Sequence, residues 1–225
     1  MPIQYQGNSG VVGEIETTHR AIRGTTRPME LGARGAYSFG AMTGVLAATT
    51  TGEIFQMRWI DATRDMLLRS VWVAGFISTT AFAAGVPPQL AMRIARSWTV
   101  DGTGGTAIVF STANTDKKRT DFPLSLLSDT GTRIATTGAL GAGTKTLDTN
   151  RCAYLVGQAG NTTGSTYVIP PTYIWQRNTD DEYPFLFEQN EGFIIEIPAI
   201  PATGTWSVSV QVEWCEIDPA TVTGW

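Results

Sequence analysis

The chain has 225 residues, is 42% hydrophobic and 16% charged, and carries a formal net charge of −4. That length suits one domain of about 190 residues with an arm, or two small domains, either with a sizeable core. The acidic balance argues against general nucleic-acid binding, and one histidine, His19, with two well-separated cysteines, Cys152 and Cys215, leaves little for Ser-His-Asp, Cys-His or zinc chemistry.

Residues 1–35 are polar and weakly periodic, with glycines throughout and Arg20, Arg23, Arg27 and Arg34. They read as an extended arm. A disordered tail is one form of it; an arm that orders on a neighbour is the other, slightly favoured by Val11, Val12, Ile15, Ile22, Met29 and Leu31. The opening Met1-Pro2-Ile3-Gln4-Tyr5 has neither a basic n-region nor an apolar h-region, so no secretory leader is expected.

Strand signals dominate from Tyr37 onward. Residues 53–61 place Phe55, Met57 and Trp59 on one face and Gln56 and Arg58 on the other. Residues 67–77 are apolar at nearly every position, as in a strand buried on both faces. The apolar run 71–84 is too short to span a membrane and contains Ser78, Thr79 and Thr80. Pro87-Pro88 breaks the chain. Residues 90–98 alternate Leu90, Met92, Ile94 and Trp98 against Ala91, Arg93, Ala95 and Ser97; Leu90 and Ile94 also fit one helical face, and strand is the preferred reading. Asp101-Gly102-Thr103-Gly104-Gly105 reads as a hairpin turn into a strand from Thr106, because it lacks the Lys-Ser/Thr of a phosphate loop. Residues 114–121 form a charged loop, and 131–145 a flexible surface excursion between short strands.

Residues 166–175 form a strand interrupted by Pro170-Pro171. Residues 183–188 and 192–197 look like a strand pair joined by Gln189-Asn190-Glu191. Residues 205–214 alternate Trp206, Val208, Val210, Val212 and Trp214 inward with Ser207, Ser209, Gln211 and Glu213 outward. Eight to ten strands with turns every 8–15 residues predict an all-β, antiparallel β-sandwich, the jelly roll being its commonest large form. The expected organisation is an arm over 1–35, a sandwich over 36–218 and a tail over 219–225.

Chemistry is sparse. Asp180-Asp181-Glu182 lacks the spaced acidic pattern of a calcium loop and reads as a solvated turn. Glu188, Glu191, Glu196, Asp61 and Asp65 are the acids available for glycoside cleavage, and most such acids in β-proteins are surface residues. Trp59, Trp72, Trp98, Trp175, Trp206 and Trp214 fall at strand positions and read as core, with a sugar-stacking platform as the minority reading. Cys152 and Cys215 lie in apolar surroundings and read as buried thiols. Trp225 ends the chain outside the last strand, where a bare indole is costly unless it docks. Neither a cofactor nor a metal is expected, and no residue is assigned a catalytic role.

Other features point to interfaces. A charged fraction of 16%, against roughly 25% in average domains, fits a surface partly covered by partner subunits, or one decorated with Thr, Ser and Gly. Only Lys117, Lys118 and Lys145 are lysines among sixteen cationic residues, and arginine suits interfaces better than lysine.

The stretch Tyr183-Pro184-Phe185, Glu188-Gln189-Asn190-Glu191-Gly192-Phe193, Pro201-Ala202-Thr203-Gly204-Thr205-Trp206 and Val210-Gln211-Val212-Glu213-Trp214, with the Gly/Thr-rich loops before it, resembles structural proteins of tailed-bacteriophage virions, of the capsid decoration (cement) or fibre-associated kind. The resemblance implies a β-sandwich, often a jelly roll, that assembles into trimers or larger symmetric units in the host cytoplasm and resides in the virion. Its expected partners are copies of itself and major capsid or other virion proteins, without membrane or direct nucleic-acid contact. Arg20, Arg23, Arg27 and Trp225 are the expected subunit contacts. A receptor- or carbohydrate-binding module of a tail or head fibre is the alternative.

Overall fold

A computed structural model describes residues 34–83, 86–112, 116–157, 167–177 and 184–219, with the backbone of three short strands before them. Among the described residues there is no α-helix. The N-terminal strands are β1 (Gln4–Gln6), β2 (Val12–Glu16) and β3 (Ala21–Ile22). They pair in sequence order as an antiparallel meander, with Tyr5 opposite Gly13 and Ile15 opposite Ile22. The arm therefore carries local strand structure that its weak periodicity did not disclose.

The body begins with β4 (Gly35–Met42), β5 (Gly52–Trp59), β6 (Asp65–Ile77) and β7 (Gln89–Val100). Four short strands follow: β8 (Thr106–Ala107), β9 (Arg133–Ile134), β10 (Thr144–Leu147) and β11 (Ala153–Val156). The chain closes with β12 (Tyr167–Gln176), β13 (Leu186–Phe187), β14 (Glu191–Ile197) and β15 (Trp206–Ile217). One sheet has the order β10-β7-β14-β5-β9-β8, with β11 also on β7; the other has the order β12-β6-β15-β4, with β13 on β6. The two antiparallel sheets pack face to face as a β-sandwich. The long strands β4, β5, β6 and β7 fall alternately in the smaller and larger sheets, and the later strands return onto them in nested fashion: β4 with β15, β5 with β14, β6 with β12, and β7 with β10 and β11.

The core lies between the sheets. Phe55, Met57 and Trp59 of β5 and Phe193 and Ile195 of β14 face Val208, Val210, Val212 and Trp214 of β15. Trp214 stacks on Tyr37 at 5.3 Å and meets Phe39 and Phe110 edge-on. Each such side chain contributes roughly 1.5–3 kcal/mol on leaving water, which is why strict alternation in 205–214 sufficed to orient β15. The reading of 90–98 as strand holds, as does the two-sided burial of β6, where Arg69 and Trp72 are only partly covered.

Several expectations are corrected. Residues 101–105 do not close a hairpin: β7 pairs with β10, β11 and β14, whereas β8 pairs with β9 across the sheet. Gly104 (φ +77°) and Gly105 (φ +57°) take the left-handed backbone of this crossing. Residues 189–190 do not join a paired hairpin either, since β13 pairs with β6 in one sheet and β14 with β5 and β7 in the other. Residues 131–145 are not a loose excursion. Thr132 is buried, Ala135 and Leu140 join the main core, β9 and the start of β10 belong to the larger sheet, Leu140 N donates to Glu53 O and Gly141 bonds Thr103. Trp98 is fully buried on the outer face of the larger sheet with Ala95 and Ile194, not in the inter-sheet core, and Trp72 and Trp175 are partly exposed.

Candidate functional site

The two ends of the described body meet at one place. Arg34 N donates to Glu216 O at 2.7 Å, which extends the β4–β15 ladder by one bond. Its guanidinium donates to Asp218 Oδ2 through both Nε and an Nη, each at 2.8 Å. The pair is largely in solvent, so it fixes geometry more than it stabilises. Residue 34 and residues 216–218, at the two described ends of the body, thus lie side by side at the start of β4 and the end of β15.

The ground beneath them is rigid. Glu216 is fully buried and accepts from Ser125 Oγ (2.8 Å), Leu126 N (2.9 Å) and Arg64 Nη1 (3.3 Å). Burial outweighs those bonds and holds its carboxyl above the ordinary range. Tyr37 beside it donates to Pro123 O at 3.2 Å, and burial pushes its phenol well up. The free edge of β4 is covered: Ser38 N donates to Asp116 O, Lys118 N donates to Ala36 O, and Lys118 Nζ pairs with Glu213 at 2.8 Å. The charged loop is therefore an edge cover, which protects β4 from pairing with another chain.

Arg20, Arg23, Arg27 and Trp225 lie outside the described residues, as do His19 and Asp180-Asp181-Glu182. Among the described residues no cluster of three or more His, Cys, Asp or Glu could hold a metal. Of the five acids weighed for glycoside cleavage, Asp61 and Glu196 stand apart, while Asp65, Glu188 and Glu191 influence one another. Glu196 binds Arg151 (2.8 Å) and Arg93 (3.8 Å), and Glu191 binds Arg96 (3.0 Å). Asp61 caps its turn through the backbone N–H of Thr63 and Arg64. Asp65 is 7% exposed, and burial, then the charges of Glu188 and Glu191, push it up to about 6. Sequence spacing could not have revealed that grouping, because it joins the start of β6, the residue after β13 and the start of β14.

The cysteine reading is half corrected. Cys215 is buried, but Cys152 is exposed as a residue. Its thiol nevertheless turns inward to Met92 O at 3.3 Å, and desolvation there pushes it up to about 11, so it is a poor nucleophile.

Two further polar groups occupy the outer face of the larger sheet, the face on which alternation places Gln56 and Arg58. Arg58 donates to Asp101 (2.5 Å) and Asn190 (2.8 Å), and Asp101 also accepts from Ser128 and Thr130. Beside it, Glu53, Gln56 and Lys145 form a buried set, with Lys145 over the Trp98 ring. No protein-family model, curated protein or solved structure matches the chain.

Proposed function

We propose that this chain is a structural subunit of a bacteriophage virion, decorating or cementing the capsid as a symmetric oligomer, and that its sandwich is a jelly roll. The observation that carries this reading is the nested pairing of β4 with β15, β5 with β14, β6 with β12 and β7 with β10 and β11, which gives strand orders β4-β15-β6-β12 and β5-β14-β7-β11. Nested pairing of this kind, within the seven- and five-stranded sheets, supports a jelly roll, a fold found in viral shells and lectins. Fold alone does not assign function, so the second support is the meeting of the body's two ends, Arg34 with Glu216 and Asp218. A meander of two- to five-residue strands is marginal by itself in water. It gains stability by laying its apolar residues on a neighbour.

In this mechanism the arm and tail reach to adjacent subunits or the capsid, with Arg20, Arg23 and Arg27 pairing carboxylates and Trp225 filling an apolar recess. Repetition about a symmetry axis multiplies a modest pairwise affinity. Analytical ultracentrifugation of the full chain tests the reading. A trimer or larger closed species is expected; a monomer at every concentration contradicts it. A second reading, a carbohydrate-binding module, has one observation in its favour: β11 and β12 lie against each other and expose Tyr154 (45%) and Tyr173 (50%), each a face on which a sugar ring could stack. Monomeric protein that binds a glycan would favour it.

A further inference from the structure

The Glu53, Gln56 and Lys145 set differs from an ordinary buried ion pair. Lys145 Nζ lies 2.7 Å from Glu53 Oε2, and Gln56 Nε2 lies 2.5 Å from the same oxygen. One carboxylate oxygen therefore bridges an amine and the nitrogen of a carboxamide. The Lys145 and Glu53 side chains are 2% and 9% exposed, and Gln56 is fully buried. Lys145 sits over the Trp98 ring at 4.5 Å and donates to Ala142 O, while Gln56 Nε2 also donates to Gly141 O at 3.0 Å. Gly102 closes the site, for a Cβ there would stand 2.0 Å from Gln56 Oε1, an atom with no hydrogen-bond partner.

We propose that Lys145 and Gln56 join in an intramolecular isopeptide bond, with Glu53 relaying the protons. Lys145 gives one proton to Glu53 Oε2, and the freed lone pair attacks Gln56 Cδ. A second proton passes through Glu53 to Nε2 as the Cδ–Nε2 bond breaks. The nitrogen leaves as ammonium, Glu53 is again ionised, and an amide links Lys145 Nζ to Gln56 Cδ. No oxidant, reductant or cofactor enters the balance. Burial lowers the affinity of Lys145 for its proton, which favours the nucleophilic amine. Fixed neighbours supply high effective molarity, and exclusion of water suppresses hydrolysis of the amide. The link would tie segment 138–145 to β5 across the outer face of the larger sheet, a mechanical staple independent of what the protein binds.

Intact mass spectrometry of the purified full chain, after incubation at mildly alkaline pH, tests this. The expected mass is below the sequence mass by one ammonia, and digestion yields a branched peptide joining the segments that contain Gln56 and Lys145. Glu53→Gln and Lys145→Met should each restore the full mass. The proposal is overturned if the unaltered chain has its full sequence mass, or if the loss maps to any other residue. Because the first outcome is read on the unaltered protein, a variant that fails to fold does not blunt the test.

Discussion

Asp65 gives the sharpest expectation at the scale of single residues. Its folded value of about 6 lies above the ordinary 3.8 because burial and the carboxylates of Glu188 and Glu191 disfavour its charge. The folded state thus holds this proton more tightly than the unfolded chain does. The penalty is full above pH of about 6 and fades as pH falls toward 3.8. Asp65→Asn should therefore raise stability at neutral pH by about 1–2 kcal/mol, allowing for screening, with no gain below pH 4 or so. Urea titrations of both proteins at neutral and acid pH check this, and an equal effect at both would contradict it. Single residues were unevenly legible beforehand. Phe55, Met57, Trp59 and the five inward residues of β15 were readable because burial on one face imposes alternation. Gln56, Glu53 and Lys145 were not, because their shelter comes from residues 102–105 and 138–145, distant in sequence.

Elements were readable where they were long and failed where connection mattered. The phase of β7 is one example. Alternation placed Trp98 with Leu90, Met92 and Ile94, but Ser97 adopts φ +48°. Opposite it, Thr144 and Thr146 of β10 pair with Val100 and Arg96, so β7 carries extra residues at this point. Such a bulge turns the following side chains to the other face, and Trp98 goes outward. The two supposed hairpins failed for a related reason. Turn residues at 101–105 and 189–191 announce a change of direction, not the strand to which the chain goes next, and nested pairing sends it elsewhere. The crossing at 101–105 makes its own prediction. A Cβ on Gly105 would lie 2.2 Å from Ile134 O, and its φ of +57° disfavours other residues. Gly105→Ala should cost about 1–3 kcal/mol, read as a lower thermal midpoint by calorimetry. An unchanged midpoint would mean the crossing yields without strain.

The body is a sandwich whose two sheets enclose one main core, with its first and last described residues side by side where β4 meets β15. The free edge of β4 is covered by residues 116–118, and β12 carries Pro170-Pro171, which cannot donate to a further strand. Those devices guard against indiscriminate sheet pairing. The charge distribution is uneven: residues 1–105 hold nine Arg and seven Asp/Glu, whereas residues 106–225 hold seven Lys/Arg and thirteen Asp/Glu. A basic N-terminal segment can thus meet the acidic half of a neighbour. The all-β architecture was legible from composition and alternation. The meeting of the body's two ends was not, because it depends on the register that sets Arg34 against Glu216 and Asp218.

Light scattering on the full chain and on residues 34–225 tests most directly whether the arm holds subunits together. The account predicts a closed oligomer for the full chain and a monomer for the shortened one, which should still unfold in a single cooperative transition. An oligomer that survives loss of the arm would place the contact on the sandwich itself, and collapse of the shortened chain would make the arm part of the fold. Either result would contradict the division between a self-sufficient body and an assembling arm.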